Sequence, residues 1–344
     1  MRKTLSYYFN KRMYVVCITA FILLLITFIT FYNEEYIIER NYGYPFTQVV
    51  LEPYNSPFSM LAIFAGILST IIVPLEFSFK MNKIKIDQLY SLPIKREKLF
   101  ISKYLISIFE VVFPLTLSFI LSFIMIIFNE HLFNLIYFIP YYFALIFYSI
   151  VLITIFSFVY TRANSHGDGI INMIMYIFIV FIILLFFVEY FNINTSYKFS
   201  TDDFILYSPI SIISNEFDCL LCNENATLYN SEIVSLILFP ILALVSFFLF
   251  LKLNKEDKSE NCSEITNSLF SYNVLLPIYS ITLGSLSLAL DSLTLYIFVV
   301  ITLYIGYTIK NKNFKLKEKD LKMFLILIVI SFILGIFCKN VFYK

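Results

Sequence analysis

Nine long apolar stretches run through this chain, and no soluble core of its size could absorb them. They are Val15 to Phe31, Phe58 to Leu75, Leu105 to Phe128, Leu132 to Phe158, Ile170 to Phe191, Ile233 to Leu251, Val274 to Leu290, Leu293 to Ile309 and Met323 to Cys338. A helix needs about 20 apolar residues to cross the hydrocarbon core, within a range of about 17–25. Of the 344 residues, 60% are hydrophobic and 14% charged, against about 45–50% and about 25% in ordinary soluble domains. The surplus must face lipid or other spans. The spacing predicts an all-α polytopic membrane helix bundle of about 8–9 transmembrane helices. Only Asp291 and Ser292 separate the seventh and eighth stretches, so these form either a tight helical hairpin or a re-entrant pair. Either option returns the chain to the same side. Trp is absent, which leaves Tyr to supply the aromatic belts at the membrane surfaces.

Lys and Arg placement sets the orientation. With the N-terminus in the cytosol, 25 basic residues divide so that only Arg40, Lys198, Lys339 and Lys344 fall outside. The N-terminus is therefore expected inside and the C-terminus outside. The first span follows basic residues, as a signal peptide would, but it is long and no small-x-small cleavage site follows it. It is expected to stay as an anchor. The organisation expected is a single transmembrane domain over 1–344. Within it lie an N-terminal stretch at 1–14, a six-span core at 15–252, a cytosolic loop at 77–103, an extracellular loop at 192–232 and additional spans at 273–344. In MRKTLSYYFNKRMY, Leu5, Tyr8 and Phe9 share a helical face. That stretch is either an amphipathic helix in the inner interface or simply a basic flank. A net charge of +1 argues against nucleic acid as a partner.

The cytosolic loop carries the most information. Asp87 to Lys103 reads DQLYSLPIKREKLFISK. Pro93 disfavours helix at Leu92 and suits the first turn of a new helix. Glu97 then lies near that helix's N-terminus, where a carboxylate is favoured. The expectation is two helical pieces meeting at Ser91–Pro93, the second continuing into the third span. An angled hairpin of this kind can pass a push from a soluble partner to two spans. An ordinary basic loop would satisfy the same pattern.

The phrase Ser91-Leu92-Pro93-Ile94-Lys95-Arg96, followed by Leu99, Phe100 and Lys103, resembles the first cytosolic loop of the permease subunits of type-2 ABC exporters. The resemblance is most specific over Glu76 to Lys103 and extends loosely over the first six spans. It implies a coupling helix that seats in a groove of an ATPase subunit, with Asp87, Leu89, Leu92, Pro93, Ile94 and Arg96 as the contact residues. It also implies a second permease, identical or related, and a multi-pass place in a bacterial cell membrane. No Gly-x-x-x-x-Gly-Lys-Ser/Thr phosphate loop occurs among the seven glycines. No cofactor is therefore expected in this chain, and ATP and Mg would be bound by the partner subunit.

Other candidates are weaker. Cys219-Leu220-Leu221-Cys222 lies in the outer loop and is compatible with a disulfide, free thiols or half a metal site. A zinc site would need two more ligands, and the only histidines are His131 and His166. Glu110 in the third span and Glu189 in the fifth are intramembrane carboxylates, functional candidates by default. Both are expected near enough to an interface to be solvated. Pro114, Pro140, Pro240 and Pro277 are expected to kink their helices. The segment TRANSHGDG, 161–169, is expected to be a tight turn rather than a His166–Asp168 catalytic pair. An intramembrane metalloprotease motif of the Glu-Glu-x-x-x-Arg type fails at Glu39. The function expected is a transport subunit, not an enzyme, exporting an amphipathic, lipid-like or peptide substrate. The alternatives are a lipid-linked glycan-processing membrane enzyme or a non-transporting immunity or sensor subunit.

Overall fold

A computed structural model describes residues 2–32, 38–42, 46–50, 57–91, 94–127, 135–176, 209–221, 230–256, 262, 266, 268, 270–289 and 292–342. The chain is a helix bundle. In order it contains α1 (Arg2–Tyr32), α2 (Pro57–Phe77), a 3-10 turn (Ser78–Met81), α3 (Lys83–Tyr90), α4 (Arg96–Ile127) and α5 (Phe138–Thr161). Then come α6 (166–176), α7 (Pro209–Leu221), α8 (Asn230–Glu256), α9 (Tyr272–Ala289), α10 (Leu293–Asn311) and α11 (Glu318–Phe342). One antiparallel hairpin, β1 (Ile38–Tyr42) with β2 (Phe46–Val50), lies between α1 and α2 and pairs Ile38 with Val50 and Tyr42 with Phe46.

Seven of the described helices are long and apolar enough to cross a membrane: Arg12–Ile29, Met60–Met81, Arg96–Met125, Phe138–Thr161, Glu232–Lys255, Leu293–Asn311 and Glu318–Phe337. The chain is a multi-pass membrane protein. The seventh expected span is the shorter apolar helix α9, paired with α10 as a hairpin. The fifth is described only to Tyr176. Large apolar side chains point outward along the spans, among them Phe21, Phe143 and Phe248 at 64%, 63% and 70% exposure. Such continuous apolar surface suits lipid and not water.

Four sequence expectations need revision. The N-terminal stretch is no separate interfacial helix, because α1 runs unbroken from Arg2 to Tyr32. It holds neither Gly nor Pro, so nothing ends it. Pro140 sits in the first turn of α5, where a missing N–H costs nothing, while Pro74 joins Pro114, Pro240 and Pro277 inside helices. The segment 192–232, expected as a loop, contains a helix, α7, whose Ile210 and Ile213 are buried. In 161–169, only residues 162–165 turn. Gly167 and Gly169 fall in the first turn of α6.

The chain divides into two compact units. The first comprises 1–76, 95–155 and 200–248. Here α1 packs along α4, with Val16, Ala20 and Leu23 buried on α1 and Ile106, Val111 and Leu115 buried on α4. Tyr104 and Thr154 join α4 to α5 through their hydroxyls at 2.6 Å. Tyr148 donates to the Leu236 carbonyl on α8 at 2.9 Å. Most buried hydroxyls inside the spans turn back on their own helix: Thr27 donates to Leu23 O at 3.0 Å, Ser69 to Ala65 O at 2.7 Å and Ser149 to Leu145 O at 2.7 Å. Where water is absent, this satisfies the polar atom without a partner helix.

The second unit comprises 77–94, 156–199 and 249–344. Its last three helices pack closely through small residues, as membrane helices do. Gly306 of α10 lies against Leu276 of α9, Gly284 of α9 against Ser331 of α11, and Gly335 of α11 against Leu288 of α9. Tyr272, Leu276, Leu303, Tyr307 and Leu327 form its core. Asp320 of α11 accepts from Lys310 and Asn311 of α10, each at 2.9 Å.

The two glycines of 161–169 make a matched test. A Cβ on Gly169 would stand 2.7 Å from Tyr160 Cε2 and 2.8 Å from its Cδ2, while a Cβ on Gly167 would meet nothing within 4 Å. Gly169→Ala is expected to destabilise by about 1–3 kcal/mol through overpacking. Gly167→Ala is expected to stabilise by up to about 1 kcal/mol through helix propensity. Thermal denaturation in detergent reads both.

Candidate coupling segment and the buried charge cluster

The segment 77–103 is built as two helices with a bend. After α2 the chain makes the 3-10 turn, and Asn82 caps α3 by accepting from the Lys85 amide at 3.2 Å. An Asn cap satisfies one of the N–H groups that a helix start leaves open. The chain leaves α3 at Ser91 and bends at Ile94. The next helix starts at Arg96, three residues beyond Pro93, with the Lys95 carbonyl accepting from Leu99 N at 3.2 Å. Glu97 lies in its first turn, where a carboxylate meets the positive end of the helix dipole.

Of the residues implied as contacts, Asp87 and Arg96 are exposed, and Leu89 and Ile94 are half-buried. Leu92 and Pro93 lie outside the described residues. Lys83, Ile84, Lys85 and Gln88 are also exposed on α3, and Ile86 is its buried anchor. This is a short charged helix held by one apolar side chain, with most of its surface free for a partner.

What fixes the segment to the second unit is a polar knot that the sequence reading passed over. The Lys80 ammonium, buried in the 3-10 turn, donates to the Thr161 carbonyl at the end of α5. Arg162 donates to the Asn254 side chain on α8. The Asn164 amide donates to Thr266 at 3.1 Å, and Thr266 donates to Asp168 at 2.8 Å. Tyr272 donates to the other Asp168 oxygen at 2.9 Å. His166 meets Tyr160 at 2.5 Å instead of Asp168, so the two residues are not a catalytic pair. The signal in sequence was the density of Thr, Arg, Asn, Ser, His and Asp in nine residues between two apolar spans.

The first unit holds a second polar cluster. Glu76 near the end of α2 is 1% exposed. Its Oε1 lies 2.6 Å from Arg12 Nε of α1, and its Oε2 lies 2.8 Å from Lys103 Nζ of α4. Arg12 also donates to the Leu75 carbonyl at 2.8 Å. One carboxylate thus ties three helices. Glu110, two turns beyond Lys103 on α4, is also 1% exposed. This corrects the expectation of a solvated carboxylate. Glu189 lies outside the described residues.

Cys219 lies in the last turn of α7; its side chain and Cys222 lie outside the described residues. Among the described residues, no group of three His, Cys, Asp or Glu side chains is placed to hold a metal ion.

No protein-family model, curated protein or solved structure matches the chain.

Glu76→Ala strands two cations in a buried site and is expected to cost about 3–5 kcal/mol. Asp87→Ala, on the exposed face of α3, is expected to stay within about 0.5 kcal/mol of wild type. The separation between the two melting curves checks both assignments.

Proposed function

We propose that the chain is the membrane-spanning subunit of an ATP-driven exporter. A separate nucleotide-binding subunit would dock on the α3–α4 bend, and a second permease would complete the path. The observation that carries this reading is α3 itself. An eight-residue helix with exposed Lys83, Lys85, Asp87 and Gln88 stands between two spans, and a single buried side chain anchors it. A charged, largely exposed helix in this position is a shape on which a soluble partner can push. The sequence resemblance over Glu76 to Lys103 names that partner's class as an ATPase.

In the proposed cycle, ATP draws two nucleotide-binding subunits together and their movement enters through Asp87 to Arg96. From there it has two routes. One is α4, which begins at Arg96 and runs 32 residues. The other is the Lys80–Thr161 hydrogen bond, which leads to the end of α5. The substrate class that suits a path of apolar spans is amphipathic, lipid-like or peptide. The bacterial cell membrane is the proposed location.

The test is purification of the tagged protein from its native membrane with identification of what accompanies it. A Walker-type ATPase is expected to co-purify, and Leu92→Asp or Arg96→Glu is expected to lower its recovery at least tenfold while membrane insertion is unchanged. Equal recovery with both variants would exclude the α3–α4 bend as the docking surface. Recovery of the protein alone would exclude the exporter reading.

A further inference from the structure

Glu110 is a buried group of the first unit that the proposed cycle does not use. Its carboxyl group is buried at 1% exposure within α4, and among the described residues neither oxygen has a hydrogen-bond partner. The charged side chains that face it are Arg12 from α1, Glu76 from α2 and Lys103 from its own helix. Both cations are already committed. Arg12 Nε lies on Glu76 Oε1 and Lys103 Nζ on Glu76 Oε2, at 2.6 and 2.8 Å. An ionised Glu110 would therefore sit in the interior with no donor, beside a second carboxylate, and such a group is costly unless paired and hydrogen-bonded. A neutral carboxylic acid removes the conflict. It carries no charge, and its O–H needs only one acceptor.

We propose that Glu110 is a proton-binding site, with the Glu76 carboxylate as its neighbouring acceptor. The step balances simply: Glu110–COOH releases one proton to water and becomes Glu110–COO⁻, with no other bond made or broken. The way out runs past the Glu76 pair to Arg12, whose side chain is 22% exposed. Losing the proton creates a second claimant for Lys103. Residues seven apart on a helix share a face, so Lys103 can turn from Glu76 toward Glu110. The tie between α2 and α4 would then slacken while the tie from Arg12 to Glu76 remains. Occupancy by a proton thus selects between two arrangements of three helices, and this stands whether or not an ATPase docks on α3.

The sign of the pH dependence follows from proton counts. Wherever the native protein holds a proton on Glu110 that the unfolded chain has released, stability falls as pH rises.

The experiment is infrared spectroscopy of the purified, detergent-solubilised full chain, with and without Glu110→Gln, together with melting curves across pH. A protonated-carboxyl band is expected in the wild type at neutral pH, shifting in heavy water, absent from Glu110→Gln and lost as the pH is raised. The melting temperature of the wild type is expected to fall over the same pH interval, and that of Glu110→Gln to fall less. A wild-type spectrum at neutral pH with only carboxylate bands would overturn the proposal. So would equal pH dependence of melting in the two proteins. Should Glu110→Gln fail to fold, the pH titration of the wild-type band decides alone, because its presence or absence needs no variant. Lys103→Met is the second variant. It removes the cation that deprotonation recruits, and it is expected to move the loss of the band to higher pH. An unmoved band would overturn the recruitment of Lys103.

Discussion

Glu76 is the group on which the first unit depends. A carboxylate at 1% exposure is tolerable only because Arg12 and Lys103 approach it from two other helices. The arrangement is reciprocal, since Glu76 is the carboxylate that both cations contact. Packing alone could hold α1 along α4, because their facing surfaces are apolar. It could not fix their vertical register. Apolar side chains slide past one another at little cost, whereas an ion pair has a defined length. The charged cluster therefore decides where each of these three helices stops along its neighbour.

Much of this architecture was legible in the sequence, for a simple reason. Apolar stretches of about 20 residues have few alternatives in a membrane, so the spans and their hairpins could be read from length and composition. The bend after Tyr90 could also be read, because Pro93 constrains its neighbour locally. What could not be read were contacts between residues far apart in the chain. Glu76, Arg12 and Lys103 each looked like an ordinary charge near the end of a span. Only the fold brings Arg12 and Lys103 to 2.6 and 2.8 Å from Glu76, and no local periodicity encodes that meeting. Glu110 was misplaced for the same reason. Its distance from the end of the span suggested water, and the packing of three helices removed it.

The segment 161–169 shows a different failure. Two glycines in nine residues suggested a turn made by backbone freedom. In the structure both glycines lie in the first turn of α6, and only Gly169 serves packing, by leaving room for the Tyr160 ring. The turn itself is made by Arg162, Ala163, Asn164 and Ser165, two of which bond to partners about 90–100 residues away. The helix α7 was missed although Ile210, Ile213 and Phe217 have helical spacing. Its surroundings of Asn, Asp and Ser weakened the pattern.

The hydroxyls along the spans have one more consequence. Thr27, Ser69, Ser149 and others of their kind spend their hydrogen bonds on the preceding turn of their own helix. Such a residue is polar in composition but closed in behaviour, since it asks nothing of the helix across from it. Resistance to sliding is therefore concentrated at a few cross-links, such as Tyr104 to Thr154 and Tyr148 to Leu236, and at the charged ends. Between those points the contact is a smooth bearing. A bundle wired in this way is stiff at its pins and yields between them.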